Sequence, residues 1–219
     1  MADGLLVIGA RRYSSWSLRG WLAVRLAGLE VEERAIKLAG AYRSGSGTPG
    51  IVGVTPAGLV PYLEHEGARV WESLAICEYC AEFTPGLWPV GRVARAAARS
   101  IAAEMHTGFV PLRQAMPMNL GRERRATPAA DVMADIARIE AIWREARQGT
   151  RFLYSEQFGL ADAMYAPIVA RFLSYLPELS AESRDYCKIV REHPLMVEWY
   201  DAAAREPLDW RLAHYEDVA

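Results

Sequence analysis

Thr55-Pro56-Ala57-Gly58-Leu59-Val60-Pro61-Tyr62-Leu63-Glu64 is a turn sequence running into a strand that has proline near its start. Pro61 has no N–H to give a ladder, so it belongs at a strand start, an edge or a cis turn. Glu66-Gly67 then makes a tight hairpin turn into Ala68-Arg69-Val70-Trp71. Glu72-Ser73 opens a helix, with Ser73 a cap or first-turn residue. Upstream, Leu5-Leu6-Val7-Ile8-Gly9 is an apolar run that reads as a buried strand. Leu18, Trp21, Leu22, Val24, Leu26 and Leu29 follow at helical spacing. Val31 to Leu38 reads as a second strand bearing Glu32, Glu33, Arg34 and Lys37, and Tyr42 to Gly53 as an irregular connection. The order through Phe83 is strand, helix, strand, irregular, strand, strand, helix, a compact α/β layer arrangement.

Thr84 to Arg92 holds two prolines and two glycines and reads as a linker. Beyond it the pattern is helical. Ala-rich Val93 to Ala103 predicts a helix continuing through Leu120, bent or ended by Pro111 and Pro117. Val132, Ile136, Ile139, Trp143 and Ala146 line one face of a helix stopped near Gly149. Leu160 to Leu176 is apolar all round, as a central bundle helix should be, with Pro167 predicting a kink. Tyr186 to Arg191 and Pro194 to Arg205 supply two short helices. The segment from Pro207 carries no assignable pattern.

With 219 residues, 52% hydrophobic and 24% charged, the chain is expected to pack as one large or two modest soluble domains. A formal charge of −2 leaves no footprint for nucleic acid or an anionic membrane. No apolar run is long enough to span a bilayer, and no leader is evident. Three cysteines are too few for a disulfide scaffold, so a reducing cytoplasm is the expected location. Cys77 and Cys80 form a C-x-x-C pair, but inside an apolar helical run rather than at a helix start, so they read as structural thiols. The four histidines at 65, 106, 193 and 214 have no metal-ligand spacing.

Tyr13-Ser14-Ser15-Trp16-Ser17-Leu18-Arg19 sits where the first strand hands over to the first helix. Unpartnered N–H groups and the helix dipole stabilise anions there, a thiolate included. The common job of serine at such a place is to cap the helix.

Three separated motifs resemble the glutathione transferase superfamily. Thr55 to Glu64 resembles its "NP-x-G-x-VP-x-L" segment, in which the Val-Pro bond is cis. Glu72-Ser73-Leu74-Ala75-Ile76 resembles "ES-x-AI", and Phe158-Gly159-Leu160-Ala161-Asp162 resembles "FS-x-AD". The resemblance implies a thioredoxin-like α/β domain with a four-stranded mixed sheet over residues 1–84. It further implies a linker at 85–92 and an all-α helical bundle over 93–219. The serine stretch is similar to the zeta class, whose best-known member is maleylacetoacetate isomerase. Trp16 stands where that class has cysteine, and Val110 where it has glutamine. The surroundings of Met105-His106, Gly108-Phe109 and Pro117-Met118-Asn119 are more like a broad group of bacterial transferases. Gly159 replaces the usual serine or threonine cap, which leaves Asp162 to hold the helix start alone, a folding role.

The implied reaction uses glutathione as co-substrate, activated as thiolate for conjugation to, or isomerisation or reduction of, a small electrophile. Maleylacetoacetate isomerase-like cis–trans isomerisation and a non-catalytic protein-binding role are the alternatives. Thiol–disulfide exchange would need a cysteine in the Tyr13–Arg19 stretch, which has none. Glutathione binding is assigned to Trp16, to Val60 and Pro61 for the cysteinyl backbone, and to Glu72 and Ser73 for the γ-glutamyl end. Ser14 and Ser15 are the candidate catalytic hydroxyls, while Ser17, closer to the helix body, reads as the cap. His106, Phe109, Val110 and Arg113 fall at steps of three, four and seven residues, so one helix face is expected to present them to the second substrate. Arg113 suits either an anionic group or an interhelix ion pair. No metal is expected. A homodimer is.

Overall fold

The computed structural model describes residues 3–38 and 50–216. Most of the irregular connection expected over Tyr42 to Gly53 lies outside these residues; Gly50 and Gly53, within them, are turn residues at positive φ. The first half folds as β1 (Gly4–Gly9), α1 (Ser15–Ala27), β2 (Glu32–Ile36), β3 (Tyr62–His65), β4 (Ala68–Trp71) and α2 (Ser73–Phe83). The four strands form one mixed sheet in the order β2-β1-β3-β4, with β1 parallel to β2 and antiparallel to β3. The hydrophobic gradient explains the order. Leu6, Val7 and Ile8 of β1 are at most 1% exposed and take an inner position. Glu32, Glu33 and Arg34 keep β2 at a charged, solvent-facing edge. Between β3 and β4, Glu66 and Gly67 both adopt positive φ (48° and 81°), the two-residue turn whose twist matches the strands.

The Val60–Pro61 bond is cis, and β3 begins one residue later, so the missing proline N–H falls outside the ladder. Helix α1 packs closely over this turn. A Cβ on Gly20 would lie 2.7 Å from Pro61 Cγ, so a side chain there would push α1 off the proline.

The second half is helical: α3 (Arg92–Thr107), α4 (Val110–Ala115), α5 (Ala130–Ala146), α6 (Leu160–Tyr175), α7 (Ala181–Arg191), α8 (Pro194–Ala204) and α9 (Ala213–Glu216), with a 3₁₀ turn at Leu208–Trp210. The helix expected to run on from Val93 through Leu120 is in fact two. It stops at Thr107, where Gly108 turns extended and Phe109 takes φ 55°. Pro111 falls in the first turn of α4, where its lack of an N–H is harmless, so it begins a helix rather than bending one. The five residues proposed to face inward on α5 are all buried. Every residue of α6 except Leu173 is buried, with Pro167 inside it, and α1 of the first half and α3 of the second both pack against it.

Asp162 shows how α6 is held. Glycine has no side chain to cap with, so only the reverse half of a capping box exists: Gly159 N–H donates to Asp162 Oδ2 at 2.9 Å. Leu153 N–H (3.0 Å) and the Tyr186 hydroxyl (2.8 Å) donate to Oδ1, tying the approach loop and α7 to the same carboxylate. Burial pushes the Asp162 pKa up to about 6 against the pull of these donors. Asp162→Ala would strand two buried donors, Leu153 N–H and the Tyr186 hydroxyl, each worth about 1–3 kcal/mol, and the part-buried Gly159 N–H. The loss should therefore exceed the roughly 1 kcal/mol of an ordinary cap. Urea unfolding of the variant, compared with wild type, measures it; equal midpoints would contradict the structural role.

Candidate functional site

The start of α1 is fixed by serines, though not in the arrangement the spacing suggested. Ser14, not Ser17, is the N-cap: its Oγ accepts from Ser17 N–H at 3.3 Å. The helix begins at Ser15, about a turn ahead of Leu18, its first buried apolar residue, which moves the cap forward. Ser17 lies wholly inside the protein, where its Oγ accepts from Gly9 N–H at 2.9 Å and sits 2.8 Å from Ser14 Oγ. This chain of contacts ties the helix start to the end of β1.

Ser14 and Ser15 face a cleft of about 540 Å³. Its floor is Val60 and the cis Pro61, and among the described residues nothing hydrogen-bonds to the Val60 backbone. Trp71 and Glu72 form a second wall, and Arg113 of α4 reaches in from the helical half. Glu72 holds φ 71°, uncommon for a residue with a side chain, and such strain gathers at working sites. The first hydrogen bond of α2 runs from Ile76 N–H to Glu72 C=O at 3.0 Å, so the amides of the preceding turn have no partner within the helix. The Ser73 hydroxyl does not line the cleft. It is fully buried and lacks a partner among the described residues, so Ser73 can serve the cleft only through its backbone.

Trp16 lines the cleft between two guanidinium groups, with Arg19 Cζ at 4.8 Å and Arg113 Cζ at 4.9 Å from its ring centroid. His106 meets the same ring edge-on at 5.1 Å. Burial, and then the nearby Arg19, lower the His106 pKa, which keeps the imidazole neutral near neutrality although Glu72 Oε2 is 3.7 Å away.

The expected common face of His106, Phe109, Val110 and Arg113 does not form, because the helix breaks between the first two. Phe109 turns into the core, Val110 is 46% exposed away from the cleft, and His106 stands behind the lining, against Trp16 and Glu72. Arg113 alone of the four lines the cleft. Its Nη1 donates to the carbonyls of Gly108 (3.2 Å) and His106 (3.4 Å), and no carboxylate pairs with it among the described residues.

Two features were not anticipated from sequence. The segment after Pro207 supplies Leu212 and Tyr215 to the cleft; Tyr13 stacks on Tyr215 and donates its hydroxyl to Glu216 at 2.5 Å. Nothing in that segment's pattern marks it. Arg171, inside α6, donates from Nη2 to Ser15 Oγ at 3.4 Å. A lone arginine in an otherwise apolar helix was a signal for it.

Fold and cleft together define a two-domain protein, a thioredoxin-like α/β domain joined to a helical one, with a cleft at their seam. Residues 13–82 match the family model for the glutathione S-transferase N-terminal domain, and residues 124–202 the model for its C-terminal domain. The chain belongs to the glutathione S-transferase family. It is similar in structure to a glutathione transferase homolog from Burkholderia gl BGR1 with bound glutathione (TM-score 0.70, 20% identity, 93% of this chain and 100% of that one). It also resembles the theta class enzyme of Xanthomonas axonopodis pv. citri with glutathione bound (0.64, 20%, 95% and 100%). A third is glutathione transferase Omega 3C from Trametes versicolor (0.67, 19%, 90% and 88%). No curated protein matches the sequence.

Among the described residues no cluster of His, Cys, Asp or Glu could hold a metal, and no helix is long and apolar enough to cross a membrane. Cys77, Cys80 and Cys187 are free and buried. Burial raises all three thiols, Cys80 and Cys187 to about 12, so none is a ready nucleophile. A thiol-reactive dye should label no cysteine in the native protein within minutes and all three after denaturation. Prompt labelling of Cys77 or Cys80 in the native state would reopen a redox role.

Proposed function

We propose that the protein is a serine-type, zeta-like glutathione transferase that binds glutathione as co-substrate and stabilises its thiolate for attack on a small electrophile. The observation that carries this reading is one cleft lined by Ser14, Ser15, Val60, Pro61 and Glu72. Each group suits one part of the tripeptide. The open backbone at Val60 offers a strand-like partner to the cysteinyl moiety. The amides at the start of α2, including that of Ser73, receive the γ-glutamyl carboxylate, and Glu72 its ammonium. Trp16 packs beside the thiol. The thiol proton leaves to solvent; the sulfur keeps the electron pair and forms a bond to the electrophilic carbon. A leaving group then departs with its own bonding pair or, in addition to an activated alkene, the π pair shifts away and takes a proton from solvent. Ser14 and Ser15, at the positive end of α1, favour that thiolate. Arg113, a cation without a carboxylate partner among the described residues, suits an anionic group on the second substrate.

Residues 1–84 would thus hold glutathione, and residues 93–219 would hold the electrophile. Reversible thiolate addition would serve a maleylacetoacetate isomerase-like cis–trans isomerisation equally, so both conjugation and isomerisation belong in the activity screen. A non-catalytic protein-binding role would be favoured by glutathione binding without any turnover.

Replacing Ser14 and Ser15 together with alanine removes the N-cap, so stability should fall by about 1 kcal/mol while the fold persists. Glutathione should still bind. A hydrogen bond to a charged group is worth about 1.5–3 kcal/mol, so the pKa of the bound thiol should rise by roughly one to two units. Ultraviolet thiolate absorbance as a function of pH measures this. An unchanged thiol pKa and turnover would remove the hydroxyls from the mechanism. In sedimentation at micromolar concentration the protein should run as a homodimer; a species of one chain's mass alone would refute that assembly.

A further inference from the structure

Ser14 and Ser15 both border the cleft, but their surroundings differ. Ser14 Oγ accepts from Ser17 N–H and lies 2.8 Å from Ser17 Oγ, so its hydroxyl is engaged inside the helix cap. Among the described residues Ser15 Oγ has one partner, Arg171 Nη2. Guanidinium can only donate, so the serine oxygen must accept, and its own proton is left over for the cleft. Arg171 is held in place for this. It is 4% exposed, and its Nη1 donates to Pro167 C=O at 3.0 Å one turn back in α6. The contact between Arg171 Nη2 and Ser15 Oγ spans 3.4 Å.

The charges around Arg171 sharpen the point. Arg19 on α1 and Arg113 on α4 approach the same Trp16 ring, and none of the three guanidiniums pairs with a carboxylate among the described residues. Glu72, at the start of α2, faces His106 of α3 rather than a guanidinium. Tyr175 of α6 and Tyr215 of the C-terminal segment are the other titratable neighbours of Arg171. Arg19 Nη1 and Arg171 Nε have no hydrogen-bond partner among the described residues. Buried cations are ordinarily paired, and a group left partly unsatisfied points to a ligand that completes it. Burial lowers the Arg171 pKa to about 10, which leaves it charged at neutral pH.

We infer that Ser15, rather than Ser14, is the hydroxyl that donates to the glutathione sulfur, and that Arg171 is the positioning residue that turns it there. The inference rests on the glutathione-transferase reading above and adds to it a coupling between domains: a side chain of the helical domain's central helix sets the state of the thiol bound by the other. The thiol loses its proton to solvent, and the resulting thiolate accepts from Ser15 O–H. No other bond changes.

Glutathione binding to the wild type is measured first by calorimetry, and no binding would overturn the underlying reading and this inference with it. With binding in place, the thiol pKa is titrated by ultraviolet absorbance in Ser14→Ala, Ser15→Ala, Arg171→Met and the Ser15→Ala/Arg171→Met double variant. Ser15→Ala and Arg171→Met should each raise it by about one unit, with glutathione affinity changed less than about threefold and turnover at neutral pH reduced about tenfold. The double variant should show little more than Ser15→Ala alone, because one residue acts through the other. Arg171→Met leaves no carboxylate stranded, and its melting temperature should not fall. A bound thiol whose pKa ignores Arg171→Met, or two effects that add in full, would overturn the positioning role. Should Arg171→Met fail to fold, the serine pair still decides: a shift in Ser14→Ala and none in Ser15→Ala would overturn the inference.

Discussion

The seam between α1 and α6 is the constraint on which the site depends. Arg19 crosses it, donating from Nε to Met164 C=O at 3.0 Å, and Arg171 answers from the other side through Ser15. Behind α1, Ser17 binds the last residue of β1, and Gly20 lets the helix sit directly on Pro61. The positive end of α1 is therefore located from three directions: the sheet, the cis-proline turn and the helical domain. A helix terminus stabilises an anion only over about one turn, so its placement to within a fraction of that length matters.

Buried polar groups in this protein fall into two kinds, and the difference separates folding from function. Asp162 is fully buried and has three donors, each from a different part of the chain. Its bonding is internally complete, which makes it a structural knot. Arg19 and Arg171 are buried too, yet each keeps a nitrogen without a partner, and both stand near Arg113 with no carboxylate among them in the described residues. Burial and like charge lower the Arg19 pKa to about 9, a cost with no visible return inside the fold. Such a cluster beside a cleft is an environment prepared for an incoming anion.

The outer wall of the cleft comes from the far end of the chain. Glu206 accepts from the N–H groups of Arg11 (2.6 Å) and Arg12 (3.3 Å), Trp199 Nε1 donates to Arg11 C=O at 3.2 Å, and Glu216 pairs with Arg12. These contacts clamp the C-terminal segment onto the loop between β1 and α1. Leu212 and Tyr215 are thereby set in the same cleft as the serines, so residues that share its lining are separated by about the whole length of the sequence.

The sequence alone determined what depends on local chemistry and on periodicity. Alternation, turn residues and the Val60-Pro61 pair defined the α/β half, and helical spacing defined α5 and the mostly apolar α6. The motifs around Pro61, Glu72 and Asp162 identified the family because they carry backbone geometry, and geometry of that kind is written in adjacent residues. Tertiary structure decided the rest. Steps of three, four and seven predict a shared face only if the helix is continuous, and the break at Gly108 and Phe109 removed His106 and Phe109 from the face assigned to them. Spacing could not tell which of three serines caps α1, since the cap depends on where the helix starts, and that start is fixed by β1 through Ser17. Least of all could it join Ser15 to Arg171, 156 positions apart. That contact exists because two helices from different domains pack together, and packing partners are chosen by the burial of the whole chain rather than by any stretch of it.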